Sequence, residues 1–252
     1  MRKFNFVFDK SNKAIALKKI ICKRFRNFSA NNSDAIVVGG GDGFMLKTIK
    51  KLYKFKKPFY GINCGSVGFL MNKYDTNKIQ EKISKAKTTV INPLQVQTIN
   101  KLRKRSSFLA INELSLFRQS KQTSLLKLKI NNKILIKKLV GDGILFSTPA
   151  GSTAYNLSVN GPILSLNSKK IAITPISPFR PRRWKGKIIS ESKSIYILNL
   201  DPKKRPVAAV ADNNEIRNIV RVKVSINKAI KFKLLFNSSE SLLKKIKLEQ
   251  LK

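Results

Sequence analysis

"VVGGGDGFML", residues 37–46, places one carboxylate, Asp42, among four glycines, directly after a short apolar run and directly before a helical pattern. The segments on either side decide what kind of turn this is. Upstream, "FNFVF" (4–8) reads as a strand, and Ser11 opens a helix with Ala14, Leu17, Ile21, Phe25 and Phe28 at helical spacing on one face. "AIVV" (35–38) reads as a second strand. Downstream, Met45, Ile49 and Leu52 mark one side of a helix, and "PFYGI" (58–62) is a third strand candidate. The rhythm is β-α-β-α-β, which predicts a parallel sheet. Asp42 then sits where the carboxyl end of a strand opens onto a crevice, the usual place for a ligand in such sheets. A helix after Thr76, with Ile79, Ile83 and Ala86, closes this unit, and "KTTVINP" (87–93) reads as a crossing segment.

From about residue 94 the strand candidates become closely spaced: "LQVQTI", "SFLAI", "ELSLF", "SLLKLKI" and "KILIKKL", the last two joined at Asn131 and Asn132. "KIAITPI", "SIYILNL", "PVAAVA", "VRVKVSI" and "AIKFKLLF" follow, interrupted by the Pro/Arg-rich "SPFRPRRWKGK" (177–187). The expected fold class is α/β plus β. It comprises an N-terminal Rossmann-like parallel-sheet domain, 1–92, and a C-terminal β-rich, sandwich-like domain, 93–237. The end of the chain, 238–252, carries a helical stripe of Leu242, Leu243, Ile246 and Leu251.

Composition narrows the chemistry. The chain of 252 residues has 52 Lys and Arg against 13 Asp and Glu, a formal charge of +39, and no histidine. Without histidine, Ser-His-Asp and Cys-His nucleophile pairs and HExxH zinc sites are excluded, so any proton transfer uses a carboxylate, Lys or Tyr. The excess of Lys runs along the whole length, which argues for a drift in composition over a designed nucleic-acid patch, although the charge suits a polyanionic small molecule. Cys22 and Cys64 fit no zinc or CxxC spacing and are read as reduced thiols. No apolar run of about 18 residues and no signal-peptide pattern is present, so a cytoplasmic protein is expected.

Four constellations can hold a ligand. Gly39, Gly40, Gly41 and Gly43 let backbone amides approach a phosphate at a helix start. Asp42 there can accept a proton from a substrate hydroxyl, help hold Mg²⁺, or cap the helix. Neither GxxxxGK[ST] nor GxGxxG fits, because Phe44 stands where the third glycine would fall. A second GDG, Gly141–Gly143, opens "LVGDGILFSTPAGSTAYNLSVNGPIL" (139–164), which gathers hydroxyls at Ser147, Thr148, Ser152, Thr153 and Tyr155. "NCGSVGFL" (63–70) offers small residues ahead of Phe69, and Asn112–Glu113 can bond adenine edges and ribose hydroxyls.

In this order and spacing, "GGDG", "NCGSVGFL", "NE" and "DGILFSTPAGSTAYNLS" resemble the NAD kinase family. GSTAY is the most specific element, since GGDG alone also looks like diacylglycerol kinases, sphingosine kinases and phosphofructokinases. The resemblance implies that substrate lies between the two domains and that the helix 238–252 packs back on the first. It implies transfer of the ATP γ-phosphoryl group to the 2′-hydroxyl of the adenosine ribose of NAD, giving NADP, with Asp42 as proton acceptor. The NAD contacts it implies are Asp42, Gly43, Asn112, Glu113, Asp142, Ala150, Thr153, Ala154, Tyr155, Asn156, Leu157, Ser158 and Asn214. Gly40, Gly41 and Gly43 would form the phosphate approach. Mg²⁺ would arrive with ATP, with no protein metal site. A homodimer or homotetramer is implied, with "ITPI" as the candidate contact, and neither a specific nucleic acid nor a membrane as partner.

The chain departs from the family pattern at Phe179, where many members have histidine, and at Ala150, Asn160 and Val140. Two other readings make different demands. A lipid kinase built on the same GGDG needs a large apolar acceptor pocket, against which the hydroxyls of 147–158 speak. A basic nucleic-acid-binding protein predicts tight binding with a steep salt dependence.

Overall fold

The computed structural model describes residues 2–66 and 68–237, so the helix expected at 238–252 lies outside the described residues. Contacts divide the chain into two units. One holds residues up to Ile91 together with the strand that follows Lys231; the other is Asn92–Ile230.

The chain begins β1 (Phe4–Phe8), α1 (Asn12–Arg24), β2 (Ala35–Gly40), α2 (Asp42–Leu52), β3 (Phe59–Asn63), α3 (Ile79–Lys85) and β4 (Lys87–Ile91). Ser11 caps α1 by accepting from the Ala14 amide, and Ala14, Leu17 and Ile21 form its buried stripe. Each fully buried Leu or Ile contributes roughly 1.5–3 kcal/mol. Phe25 and Phe28 leave the helical stripe expected for them. Phe25 is already extended at the C-cap, with its ring 5.9 Å from that of Phe6. Phe28 donates its amide to the Phe4 carbonyl. Residues 87–91, expected as a crossing segment, form the edge strand β4.

The second unit contains β5 (Leu94–Asn100), β6 (Arg105–Ala110), β7 (Glu113–Arg118), β8 (Ser124–Ile130), β9 (Lys133–Gly141) and β10 (Gly143–Ser147). A short helix α4 (Tyr155–Ser158) follows, then β11 (Lys170–Ile176), β12 (Lys187–Ser190), β13 (Ile195–Asn199), β14 (Val207–Ala211), β15 (Asn214–Ile216) and β16 (Ile219–Ile226). The chain then returns to the first unit as β17 (Phe232–Phe236).

The first sheet has the order β1-β2-β3-β17-β4, with β1, β2, β3 and β17 parallel and β4 antiparallel. Every residue of β2 is buried, as a central parallel strand covered on both faces requires. β17 corrects the boundary drawn at 237: "FKLLF" looks like its antiparallel neighbours in sequence, yet it inserts between β3 and β4.

The second unit is a sandwich of two antiparallel six-stranded sheets, β12-β11-β10-β7-β14-β15 and β6-β5-β16-β13-β8-β9. Leu114, Leu116 and Phe146 of one sheet share a core with Val96, Ile197 and Val224 of the other. Alternation sets the faces: in β16, Val222 and Val224 are buried while Arg221 and Lys223 are exposed. Among the described residues no helix is long and apolar enough to cross a membrane.

Candidate functional site

In the first unit the site grows from the end of β2. Gly39 and Gly40 are there for packing: a Cβ on Gly39 would meet Leu17 and Phe8 at 2.8 Å, and one on Gly40 would meet Phe44 at 2.8 Å. Gly41 and Gly43 differ, since a Cβ on either meets nothing within 4 Å. Open space beside bare backbone at the start of α2 is what an approaching phosphate needs. Of the three glycines expected to admit phosphate, Gly41 and Gly43 have that space, whereas Gly40 makes room for Phe44.

Asp42 is the first residue of α2, where a negative charge also complements the helix dipole. The sequence suggested an unshielded acid; its carboxylate instead accepts the backbone amides of Phe69 at 2.8 Å and Leu70 at 3.0 Å. The "NCGSVGFL" loop therefore contributes to this site through its backbone. The loop is anchored at both ends: the Cys64 amide donates to the Gly40 carbonyl, the Asn63 amide to the Asn72 carbonyl and the Asn72 amide to the Gly61 carbonyl. Asn72, wholly buried, also donates its side chain to the carbonyls of Gly61 and Leu235.

In the second unit, Asn112 and Glu113 stand at the start of β7 on a segment held by Asp212. The Asp212 carboxylate accepts the amides of Ile111 (2.8 Å), Asn112 (2.9 Å) and Glu113 (3.3 Å), and the Asp212 amide donates to the Glu113 carbonyl. The GST turn packs against the same segment so closely that a Cβ on Gly151 would lie 2.2 Å from the Asn112 carbonyl oxygen. Thr148 fastens the two together, donating its hydroxyl to the Ile111 carbonyl and accepting the Gly151 amide.

Within this rigid frame, two buried side-chain oxygens, Asn112 Oδ1 and Glu113 Oε2, have no hydrogen-bond partner among the described residues. Buried polar atoms are rarely left so, and two of them on neighbouring residues offer acceptors that a polar ligand can use. Burial, and then the charge of Asp212, push the Glu113 carboxyl up to about 8. Tyr155 is coupled to the same group: burial first, then Asp142 and Glu113, raise its phenol above the ordinary value, while its ring packs 5.7 Å from Phe117. Asp142 forms an ion pair with Arg118 at 2.6 Å, and with Phe117 and Tyr155 these residues line a groove of about 610 Å³. Asn112, Glu113, Tyr155 and Asp142 thus form one constellation.

The raised Glu113 carboxyl has a testable sign. In the unfolded chain the group releases its proton around the ordinary value of 4.5, whereas the folded protein retains it to about 8. Its contribution to stability is therefore full below about 4.5 and is lost as pH rises toward about 8. Thermal melts of Glu113→Gln are expected to show a smaller fall in midpoint over this window than the wild type; parallel profiles would exclude Glu113 as the titrating group.

The remaining expected contacts differ in kind. Ala150 and Thr153 are buried at the turn, Ala154 and Leu157 are half-buried, and Ser158 is exposed on α4. Asn156 is fully buried; its amide donates to the Ser152 and Pro162 carbonyls and its Oδ1 accepts the Thr174 hydroxyl, so its side chain braces the turn and both of its N–H donors are taken. Asn214 is exposed at the start of β15 and is not part of the groove lining. Residues 173–176 ("ITPI") lie in β11, flanked by β10 and β12, and are buried within this chain, with Ile176 at the lining of the groove that holds Asp142 and Tyr155.

Sequence reasoning missed two contributors. Asp212 adopts a left-handed φ of 50°, a conformation Asp tolerates better than most residues, and the turn-forming "DNN" at 212–214 was the signal in the sequence that could have found it. The Phe69 and Leu70 amides carry no side-chain signature at all.

Comparison with known proteins bears on both halves. Residues 2–89 match the ATP-NAD kinase N-terminal domain and residues 111–235 the ATP-NAD kinase C-terminal domain. The NAD kinase of Caulobacter vibrioides is 43% identical over 230 residues, 91% of this chain and 88% of its own. The NAD kinase of Rickettsia typhi is 42% identical over 248 residues, 98% of this chain and 97% of its own. Among solved structures, an Archaeoglobus fulgidus NAD kinase in complex with ATP shares the fold with a TM-score of 0.75 at 21% identity, covering 97% of this chain and 98% of its own. Yeast NADH kinase complexed with NADH gives a TM-score of 0.76 at 24% identity, covering 86% of this chain and 66% of its own.

Proposed function

The chain belongs to the NAD kinase family, and from that premise we propose how its own residues carry out transfer of the ATP γ-phosphoryl group to the 2′-hydroxyl of the adenosine ribose of NAD. The observation that carries the assignment of roles is the pair of unpartnered buried oxygens on Asn112 and Glu113 in the second unit; in the first unit, the Gly41–Gly43 turn around Asp42 offers open backbone. Asn112 and Glu113 bind the dinucleotide through its hydroxyls and base edge. A protonated Glu113 donates one hydrogen bond and accepts others, whereas the ionised form only accepts. Tyr155 and Asp142 bound the adjoining groove, while Thr153, Ala154, Leu157 and Ser158 supply the turn along it.

Asp42 orients the 2′-hydroxyl and takes its proton as the new O–P bond forms. The bond from the γ-phosphorus to the bridging oxygen breaks, and ADP leaves with the electron pair. A carboxylate is a weak base toward an alcohol, so the proton moves with bond formation and not before it; in-line phosphoryl transfer asks mainly for positioning and charge neutralisation. The amides of Phe69 and Leu70 fix the carboxylate, which removes the cost of orienting it during the reaction. Gly41 and Gly43 admit the phosphates.

Mg²⁺ is carried in as the ATP complex and, when bound, offsets repulsion between the triphosphate and Asp42. Assembly as a homodimer or homotetramer and a cytoplasmic location belong to the same proposal. Purified protein incubated with NAD, ATP and Mg²⁺ is expected to form NADP and ADP in equal amounts. ADP release without NADP, from folded protein beside a working control, would contradict the assignment.

A further inference from the structure

The outer face of the sheet β6-β5-β16-β13-β8-β9 carries cations in an ordered array. Strand register places Lys223 between Gln97 on one side and Tyr196 on the other, with Lys129 beyond Tyr196. In the next row, Arg221 stands between Ile99 and Leu198, with Arg105 opposite Ile99 and Lys127 opposite Leu198. Five cations thus share one face of the sheet, and these rows line a groove of about 670 Å³. Tyr196 is 39% exposed at its centre, with the Lys223 ammonium 5.6 Å from its ring.

No carboxylate lines this groove, and among the ion pairs of the described residues none involves these five cations. Elsewhere on the surface several acids are paired with neighbouring cations, as in Asp75 with Lys82, Glu81 with Lys85 and Glu191 with Lys228. Five like charges at strand spacing repel one another, and an anionic partner relieves that repulsion. A face-to-face second copy would double it.

The groups between the cations choose among anions. Inorganic polyphosphate has no flat surface to meet an aromatic ring, and a lipid headgroup layer would engage the cations while giving Tyr196 no ring to stack on; Leu102, 86% exposed in the β5–β6 turn, makes vesicles the control to run. A single-stranded nucleic acid offers both what the cations take, its phosphates, and what Tyr196 takes, an unstacked base. Gln97, beside the ring row, can bond base edges and the 2′-hydroxyl that distinguishes RNA. We infer that this sheet face binds single-stranded RNA without sequence selectivity, as a function separate from the kinase site.

The test is fluorescence anisotropy of a labelled oligouridine of about 15 nucleotides against the whole protein, over a range of salt. Binding is expected with log K falling linearly against log salt. The double variant Lys127→Glu/Arg221→Glu should weaken it at least about tenfold and flatten the slope by about 1.4, about 0.7 for each lost phosphate contact. Tyr196→Ala, which changes no charge, should weaken binding about fivefold or more with little change in slope. Lys18→Glu/Lys19→Glu, an equal charge change on exposed positions of α1, should stay within about twofold of wild type. NADP formation should be unchanged in all three, and the RNA readout stands or falls independently of the kinase assignment. Should the charge reversal fail to fold, Lys127→Gln/Arg221→Gln must flatten the slope by the same per-contact amount. The inference is overturned if the α1 variant loses as much as the sheet variant, or if Tyr196→Ala binds as the wild type. It is also overturned if the sheet variant loses binding to phosphatidylglycerol vesicles while retaining RNA.

Discussion

Asp42→Asn is expected to lower kcat by about 10²- to 10⁴-fold, the usual worth of a positioned proton acceptor. The hydrogen bonds from Phe69 and Leu70 make this substitution less innocent than it looks. An asparagine presents only one oxygen, and its NH₂ group faces one of the two backbone amides, donor against donor. Leaving that amide without an acceptor costs about 1–3 kcal/mol when water cannot replace it. A fall in melting temperature should therefore accompany the loss of turnover, and the two effects are separated by measuring NAD affinity alongside kcat. If Asp42 acts in the chemistry, NAD affinity changes by a few fold while kcat collapses. If NAD affinity falls as far as kcat/KM, its role is to hold the loop; wild-type turnover would remove it from the reaction altogether.

Asp212→Ala is expected to produce the second large effect, at a residue that makes no proposed substrate contact. Three backbone amides, those of Ile111, Asn112 and Glu113, converge on its carboxylate. Truncation strands them, and alanine must also adopt the left-handed φ of 50° found there, a further roughly 1–2 kcal/mol. With partial replacement by water, we expect a net loss of about 2 kcal/mol or more in stability. NAD affinity should fall at least about tenfold, because Asn112 and Glu113 lose their support. Asp212→Asn, which keeps one oxygen and tolerates the same φ, should be milder in both measurements. An alanine variant that melts and binds NAD as the wild type does would mean that the β7 start is held by other contacts.

The sequence made the central strand legible because β2 is covered on both faces and reads as an unbroken apolar run into glycine. Ser11 and the Ala14–Leu17–Ile21 stripe were legible for an equally local reason, since cap and period lie within one helix. β17 was not: a five-residue apolar strand carries no mark of the sheet it joins, and its partners β3 and β4 lie about 140 residues or more upstream. The site divides the same way. Residue types announced Asp42, Asn112, Glu113 and Tyr155, whose side chains the proposed function uses. The carboxylate–amide contacts that hold Asp42 and Asn112 in place depend on backbone brought together by the fold. Asn156 shows the converse: beside Tyr155 it is announced as a contact, and the fold puts both of its donors on backbone carbonyls and its oxygen on Thr174.

The most direct measurement of the central claim is the position of the transferred phosphate, read by phosphorus NMR on the products of wild-type protein with NAD and MgATP. The account predicts one new phosphomonoester, on the 2′-oxygen of the adenosine ribose, growing in step with ADP. A phosphomonoester at another position of the dinucleotide, or inorganic phosphate with NAD unchanged, would contradict it.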